Sequence, residues 1–167
     1  MYELKLWIIP IAALIPMIMG FIWYNPKVMG KAWMEATGLT DEKMKGANMG
    51  LVFGLSYVFS CLLAFAMVTL TIHQMGFQSI LMNEPGFGVE GSDMYIFFHD
   101  FLSKYGNNFR TFKHGALHGT IGGLIIAFPI IATNGMFERK SWKYIWINTG
   151  YWVITMMLMG GFVCQFA

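Results

Sequence analysis

GANMGLVFGLSYVFSCLLAFAMVTLTIHQMGFQSILMN, residues Gly46–Asn83, contains no Asp, Glu, Lys or Arg. An apolar run of about 18 or more residues crosses the roughly 30 Å hydrocarbon core of a bilayer as a helix. Lipid offers the backbone no water to bond, so a spanning segment must satisfy its own peptide groups. Leu6–Pro26, His114–Phe137 and Tyr144–Ala167 are uncharged in the same way, and all 11 basic and 9 acidic residues fall outside these stretches. The pattern predicts an all-α polytopic membrane protein. Its four transmembrane helices, over about 6–25, 49–73, 114–134 and 144–166, form one bundle.

Composition agrees. The chain is 56% hydrophobic and 12% charged, about half the charged fraction of soluble domains. Its 167 residues leave no room beyond a single transmembrane domain, 1–167. A net charge of +2 gives no footprint for nucleic acid, so the expected surroundings are the lipid bilayer and other membrane chains. Met1-Tyr2-Glu3-Leu4-Lys5 lacks a basic n-region and a small-x-small cleavage site. The first span is therefore expected as a retained helix rather than a removed signal peptide.

Basic residues set the expected orientation. The first and third connections carry Lys27, Lys31, Lys43, Lys45, Arg139, Lys140 and Lys143. The opposite side carries Lys5, Lys104, Arg110 and Lys113, offset by Glu3, Glu84, Glu90, Asp93 and Asp100. The positive-inside rule puts the first group in the cytoplasm and both termini outside, in a bacterial inner membrane. Trp23, Trp33 and Trp142, with Tyr24, Tyr144 and Trp146, are expected as interface anchors on the inner side.

Asn25-Pro26 and Asn134-Gly135 read as the ends of the first and third spans. Pro10, Pro16 and Pro129 fall inside spans, as kinks that neighbouring helices absorb. Thr40-Asp41-Glu42 opens a short polar helix. The long outer loop, 75–113, should hold an amphipathic helix over Asp93–Tyr105, capped by Ser92 and stopped by Gly106. Met94, Phe98, Phe101 and Tyr105 share its apolar face, which suits the outer interface. A structural lid and a substrate-binding cap both remain open for it. Tyr24–Trp33 aligns on Thr133–Trp142 with Asn, Lys and Trp in common. Duplication and shared interfacial chemistry both account for that.

Gly46, Gly50 and Gly54 recur every fourth position, as do Gly115, Gly119 and Gly123. Such small-xxx-small faces let helix backbones approach closely in lipid, within one bundle or between copies. His73, His99, His114 and His118 all lie on the outer side. His114 and His118 share a helix face; with His73 they form a candidate metal set, and Cys164 reaches a similar height. Metal or haem ligation, a proton-linked role, and interhelical hydrogen bonding or interfacial anchoring are all open to these rings. Cys61 and Cys164 stand too far apart along their helices to bridge. The sequence contains no C-x-x-C, G-x-S-x-G or P-loop, and no carboxylate inside a span. No catalytic residue is expected.

Gly20-Phe21-Ile22-Trp23-Tyr24-Asn25-Pro26, Gly30-Lys31-Ala32-Trp33-Met34 and Thr37-Gly38-Leu39-Thr40 resemble the signature of a bacterial membrane-protein family. That family is catalogued only as a domain of unknown function, the 1761 type. Ala132-Thr133-Asn134, Phe137-Glu138-Arg139-Lys140-Ser141, Ile147-Asn148-Thr149-Gly150-Tyr151-Trp152 and Met159-Gly160 resemble its second half, as does His114-Gly115-Ala116-Leu117-His118-Gly119. The resemblance covers roughly Ile11–Gly54 and Phe112–Gly161, and the insert Met75–Arg110 is longer than the usual connection. It implies a small four-helix inner-membrane protein. The sequence thus points to a non-enzymatic component of a membrane assembly, a homo-oligomer or a subunit with a membrane-protein partner. The alternative is a small-solute or ion transporter, or a metal- or haem-binding protein using His73, His114, His118 and Asp100.

Overall fold

The computed structural model describes residues 4–167. Met1, Tyr2 and Glu3, which entered the signal-peptide and charge readings, lie outside the described residues. Those described form helices and no strand.

The first apolar helix, Ile8–Trp23, is shorter than the 18 residues that a straight crossing needs. It consists of α1 (Ile8–Ala12) and α2 (Leu14–Trp23), interrupted at Ala13. Pro16 is the cause nearest that break. It has no amide to offer Ala12, and its ring crowds that carbonyl. Two short helices, α3 (Gly30–Thr37) and α4 (Asp41–Met44), occupy the first connection. α5 (Met49–Thr71) starts where Asn48 Oδ1 accepts the Leu51 amide at 3.1 Å. α6 (His73–Leu81) and α7 (Asp93–Tyr105) form the long connection. α8 (Phe112–Gly122), a π-helical turn over Gly123–Ala127 and α9 (Phe128–Phe137) make one continuous helix. α10 (Trp142–Phe166) closes the fold. Met49–Thr71, Phe112–Phe137 and Trp142–Phe166 are each long and apolar enough to cross a membrane.

The π turn has an identifiable reason. Pro129 cannot donate to the carbonyl one turn back, and widening the preceding turn absorbs that defect. The expected stop at Asn134-Gly135 is corrected: the helix runs on to Phe137. Gly135 is enclosed, and a Cβ there would sit 2.9 Å from Ile145 Cγ1. The chain turns at Arg139 instead, with φ 55°. The Lys140 amide bonds the Gly135 carbonyl at 2.8 Å, and that of Arg139 bonds Met136 at 3.1 Å. This is a Schellman cap with arginine where glycine is usual.

α10 is the central helix and packs on α8, α5, α2 and α1. Met156, Met159 and Val163 of α10 meet Ala64, Met67, Val68 and Ile72, with Ile8 and Ala12 from the first helix. The α8–α10 contact is backbone against backbone. A Cβ on Gly119 would lie 2.0 Å from the Met156 carbonyl oxygen, and one on Gly115 would lie 2.2 Å from that of Gly160. Gly123 meets Val153 in the same way, at 2.7 Å. Approach this close replaces the hydrophobic drive that lipid does not supply. Gly50 and Gly54 differ. Nothing among the described residues comes within 4 Å of a Cβ at Gly54, and at Gly50 only the Asn48 side chain does. The intrachain packing expected of those two positions is not found.

At the end carrying Trp142, the first helix is tied to α10 by side chains. Trp23 Nε1 donates to the Ile147 carbonyl at 3.1 Å, and Tyr24 OH donates to Asn148 Oδ1 at 2.9 Å. Trp33 sets its edge on the Tyr24 ring at 5.2 Å. Lys143 donates to Glu35 at 2.7 Å, which holds that carboxyl below the usual range and fastens α3 to α10. Trp142 is mostly exposed.

α7 begins at its Ser92 cap as the spacing predicts. Phe98 is buried, while Phe101 and Tyr105 are partly exposed. Phe77 of α6 lies against Phe98 and Phe101, with centroids 5.7 and 4.2 Å apart. Gln74 donates to the carbonyls of Gly106 and Asn108 at 2.9 and 2.8 Å. Ring contacts between α6 and α7 and the two Gln74 bonds therefore tie the connection together.

Candidate metal centre

Two features of the chain bring three histidines together. α5 ends at Ile72, which is fully buried and extended (φ −106°, ψ 94°), so His73 leaves the axis of α5 and starts α6. Across from it, Thr111 caps α8 by accepting the His114 amide at 3.3 Å. His114-Gly115-Ala116-Leu117-His118-Gly119 then carries two faces of equal spacing. Gly115 and Gly119 lie against α10, and the histidines, one position earlier, point about 100° away.

The rings converge. His114 Nε2 and His73 Nε2 are 2.9 Å apart, a hydrogen bond in which one ring donates and the other accepts. Ring centroids lie 4.9 Å apart for His73–His114, 4.9 Å for His73–His118 and 4.4 Å for His114–His118. One nitrogen from each ring falls within 4.8 Å of the other two. Tetrahedral ligands with metal–nitrogen bonds of about 2.0–2.1 Å stand about 3.3 Å apart, so small ring rotations would close the set. His73 is exposed and the other two are half-buried, so the centre opens to the surface at the end of the bundle. Phe109 is a member that sequence reading missed. Its ring lies 5.1 Å from His114 and 6.4 Å from His73, on a backbone held at φ 63°. A bulky side chain rarely adopts that conformation. Only a structure can show it.

Residues 7–164 match the family model described as a protein of unknown function, DUF1761. The chain belongs to the DUF1761 family. No curated protein and no solved structure matches it. The DUF1761 match includes all three histidines and runs through the long connection.

The other candidates at this end of the bundle do not join the triad. Cys164 is buried, and its thiol donates to the carbonyls of Thr71 and Phe109 at 3.5 and 3.3 Å. It thus braces the two segments that carry His73 and Phe109. His99 lies on α7 against Tyr95, with centroids 4.1 Å apart, and Asp100 is exposed on the same helix. Among the described residues the cluster comprises three imidazoles and no carboxylate or thiol.

Proposed function

We propose that this chain is a non-enzymatic membrane protein that holds one transition-metal ion between His73, His114 and His118. The observation that carries this reading is the approach of three imidazole nitrogens, from two separate segments, to within 4.8 Å. Imidazole suits zinc, copper, nickel and iron, whereas the oxygen ligands that magnesium and calcium require are missing from the cluster. Three protein ligands leave a fourth position for water or a transferred ligand, and the exposure of His73 gives it access. Binding would break the His73–His114 hydrogen bond and leave the donating ring as the tautomer protonated on Nδ1, freeing both Nε2 atoms to ligate.

The geometry favours a small ion over haem. Axial imidazoles face each other across the macrocycle, with nitrogens about 4 Å apart, twice a metal–nitrogen bond. Here two of the rings rise from neighbouring turns of one helix and lie 4.4 Å apart, with no slot for a plane between them. Metal analysis of protein purified in detergent without chelator should find about one ion per chain. The same analysis of a His73→Gln, His118→Gln double variant should find almost none. Equal metal in both would remove the basis for this function.

The wider reading is a four-span bundle in an inner membrane, with the first helix as its short fourth member and both termini outside. The excess of Lys and Arg in the first and third connections supports that orientation. A cysteine replacing Gly91, in a chain with Cys61 and Cys164 changed to alanine, should react with an impermeant thiol reagent in intact cells. One replacing Ser141 should not. The reverse pattern would turn the protein over and move the histidines to the cytoplasmic side. Self-association is a second part of the reading, supported by the open face of α5 at Gly50 and Gly54.

A further inference from the structure

At the end of the bundle away from the histidines, α2 and α5 part around a cavity of about 830 Å3. That is within the roughly 300–1,000 Å3 of sites that enclose a small molecule. Tyr151 of α10 lies at its back, Ser56 and Ser60 line the α5 wall, and Asn25 and Trp33 stand at its polar end. Most of the lining is apolar, and three of its polar side chains are already used. Tyr151 OH donates to the Pro16 carbonyl, Ser60 to that of Ser56, and Tyr24 to Asn148. The interior therefore asks for an apolar guest. Its rim residues Phe21, Phe53 and Phe59 are 67, 40 and 62% exposed, so the cavity opens sideways onto the apolar flank of the bundle.

The polar end has the opposite chemistry. Among the described residues Asn25 uses only its oxygen, accepting the Lys27 amide at 2.9 Å, and its amide nitrogen stays available. Lys27 and Lys31 flank Asn25-Pro26 and Trp33 in the chain and are exposed. Lys143 pairs with Glu35. We infer that this cavity is a binding site for one anionic glycerophospholipid, its acyl chain between α2 and α5 and its phosphate at Lys27, Lys31 and Asn25. Charge complementarity decides for an anionic lipid, whose phosphate needs cationic partners beside an apolar cleft, as the exposed Lys27 and Lys31 next to Asn25 provide. Basic pockets between spanning helices on the side richer in Lys and Arg are a recurring place for such headgroups. The site is independent of the metal reading.

The test is native mass spectrometry of protein released from nanodiscs containing equal amounts of phosphatidylglycerol and phosphatidylcholine. One retained phosphatidylglycerol per chain is expected, in clear preference to phosphatidylcholine. Lys27→Gln with Lys31→Gln should cut that preference by about fivefold for each lysine removed, without unfolding, since both side chains are exposed. Ser56→Leu, which fills the cavity, should abolish retention of either lipid. Equal retention of the two lipids by the unaltered chain would overturn the proposal. So would unchanged retention in Ser56→Leu, or a dimer that excludes lipid and is lost in that variant.

Discussion

Gly119→Leu should destabilise the detergent-solubilised protein by about 3 kcal/mol or more, at the upper end of what overpacking does. A Cβ alone would fall 2.0 Å from the Met156 carbonyl oxygen and 2.9 Å from Met157 Cα. These are backbone atoms of the central helix, so no side chain can move aside. The only relief is separation of α8 from α10, which forfeits the dispersion contacts of the closest interface in the molecule. Gly54→Leu is the matched control. Its site meets nothing within 4 Å among the described residues, so in the monomeric chain the change should stay within about 0.5 kcal/mol. The larger loss that self-association through this face predicts should appear only in the oligomer. Thermal unfolding of the two variants checks both. A large loss at Gly54 would mean that the α5 face is covered by another copy of the chain. No loss at Gly119 would mean that α8 and α10 are not in contact there.

His118→Gln should lower metal affinity at least a hundredfold, because the set drops from three ligands to two and a glutamine amide is a poor replacement for imidazole. The metal-free fold should lose only about 1 kcal/mol, since His118 meets His73 and His114 through ring contacts alone among the described residues. Calorimetric zinc titration alongside unfolding separates these effects. In the unaltered protein, affinity should also fall on acidification, because a protonated imidazole cannot ligate a metal. If His118→Gln costs stability and leaves zinc affinity unchanged, the three rings serve as a hydrogen-bonded brace.

Glycine spacing revealed which helix faces were small, but not what lay opposite them. Gly115 and Gly119 found a backbone, whereas among the described residues Gly54, with the same spacing, found open space and Gly50 only the Asn48 side chain. Spacing fixes a face of one helix; its partner is set by how the whole bundle closes. The histidines were legible in part for the same reason. His114 and His118 are fixed relative to each other by helical geometry alone. Counting residues along α5 gave His73 its height but not its direction, which comes from the break at buried Ile72. Phe109 left no signal, because a positive φ at a bulky residue runs against local preference. Asn134-Gly135 misled in the other direction. Its glycine serves packing against Ile145, and Arg139 takes the cap. The Asp93–Tyr105 helix was readable to the residue, because its Ser92 cap is local, whereas of its expected apolar face Phe101 and Tyr105 remain exposed.

X-ray absorption of the detergent-purified chain loaded with one equivalent of zinc tests the metal centre most directly. Three imidazole rings predict a first shell of nitrogen at about 2.0–2.1 Å, with the outer-shell scattering of three histidines, and its loss in His118→Gln. A first shell containing sulfur at about 2.3 Å, or oxygen without imidazole scattering, would contradict the assignment of the ion to His73, His114 and His118.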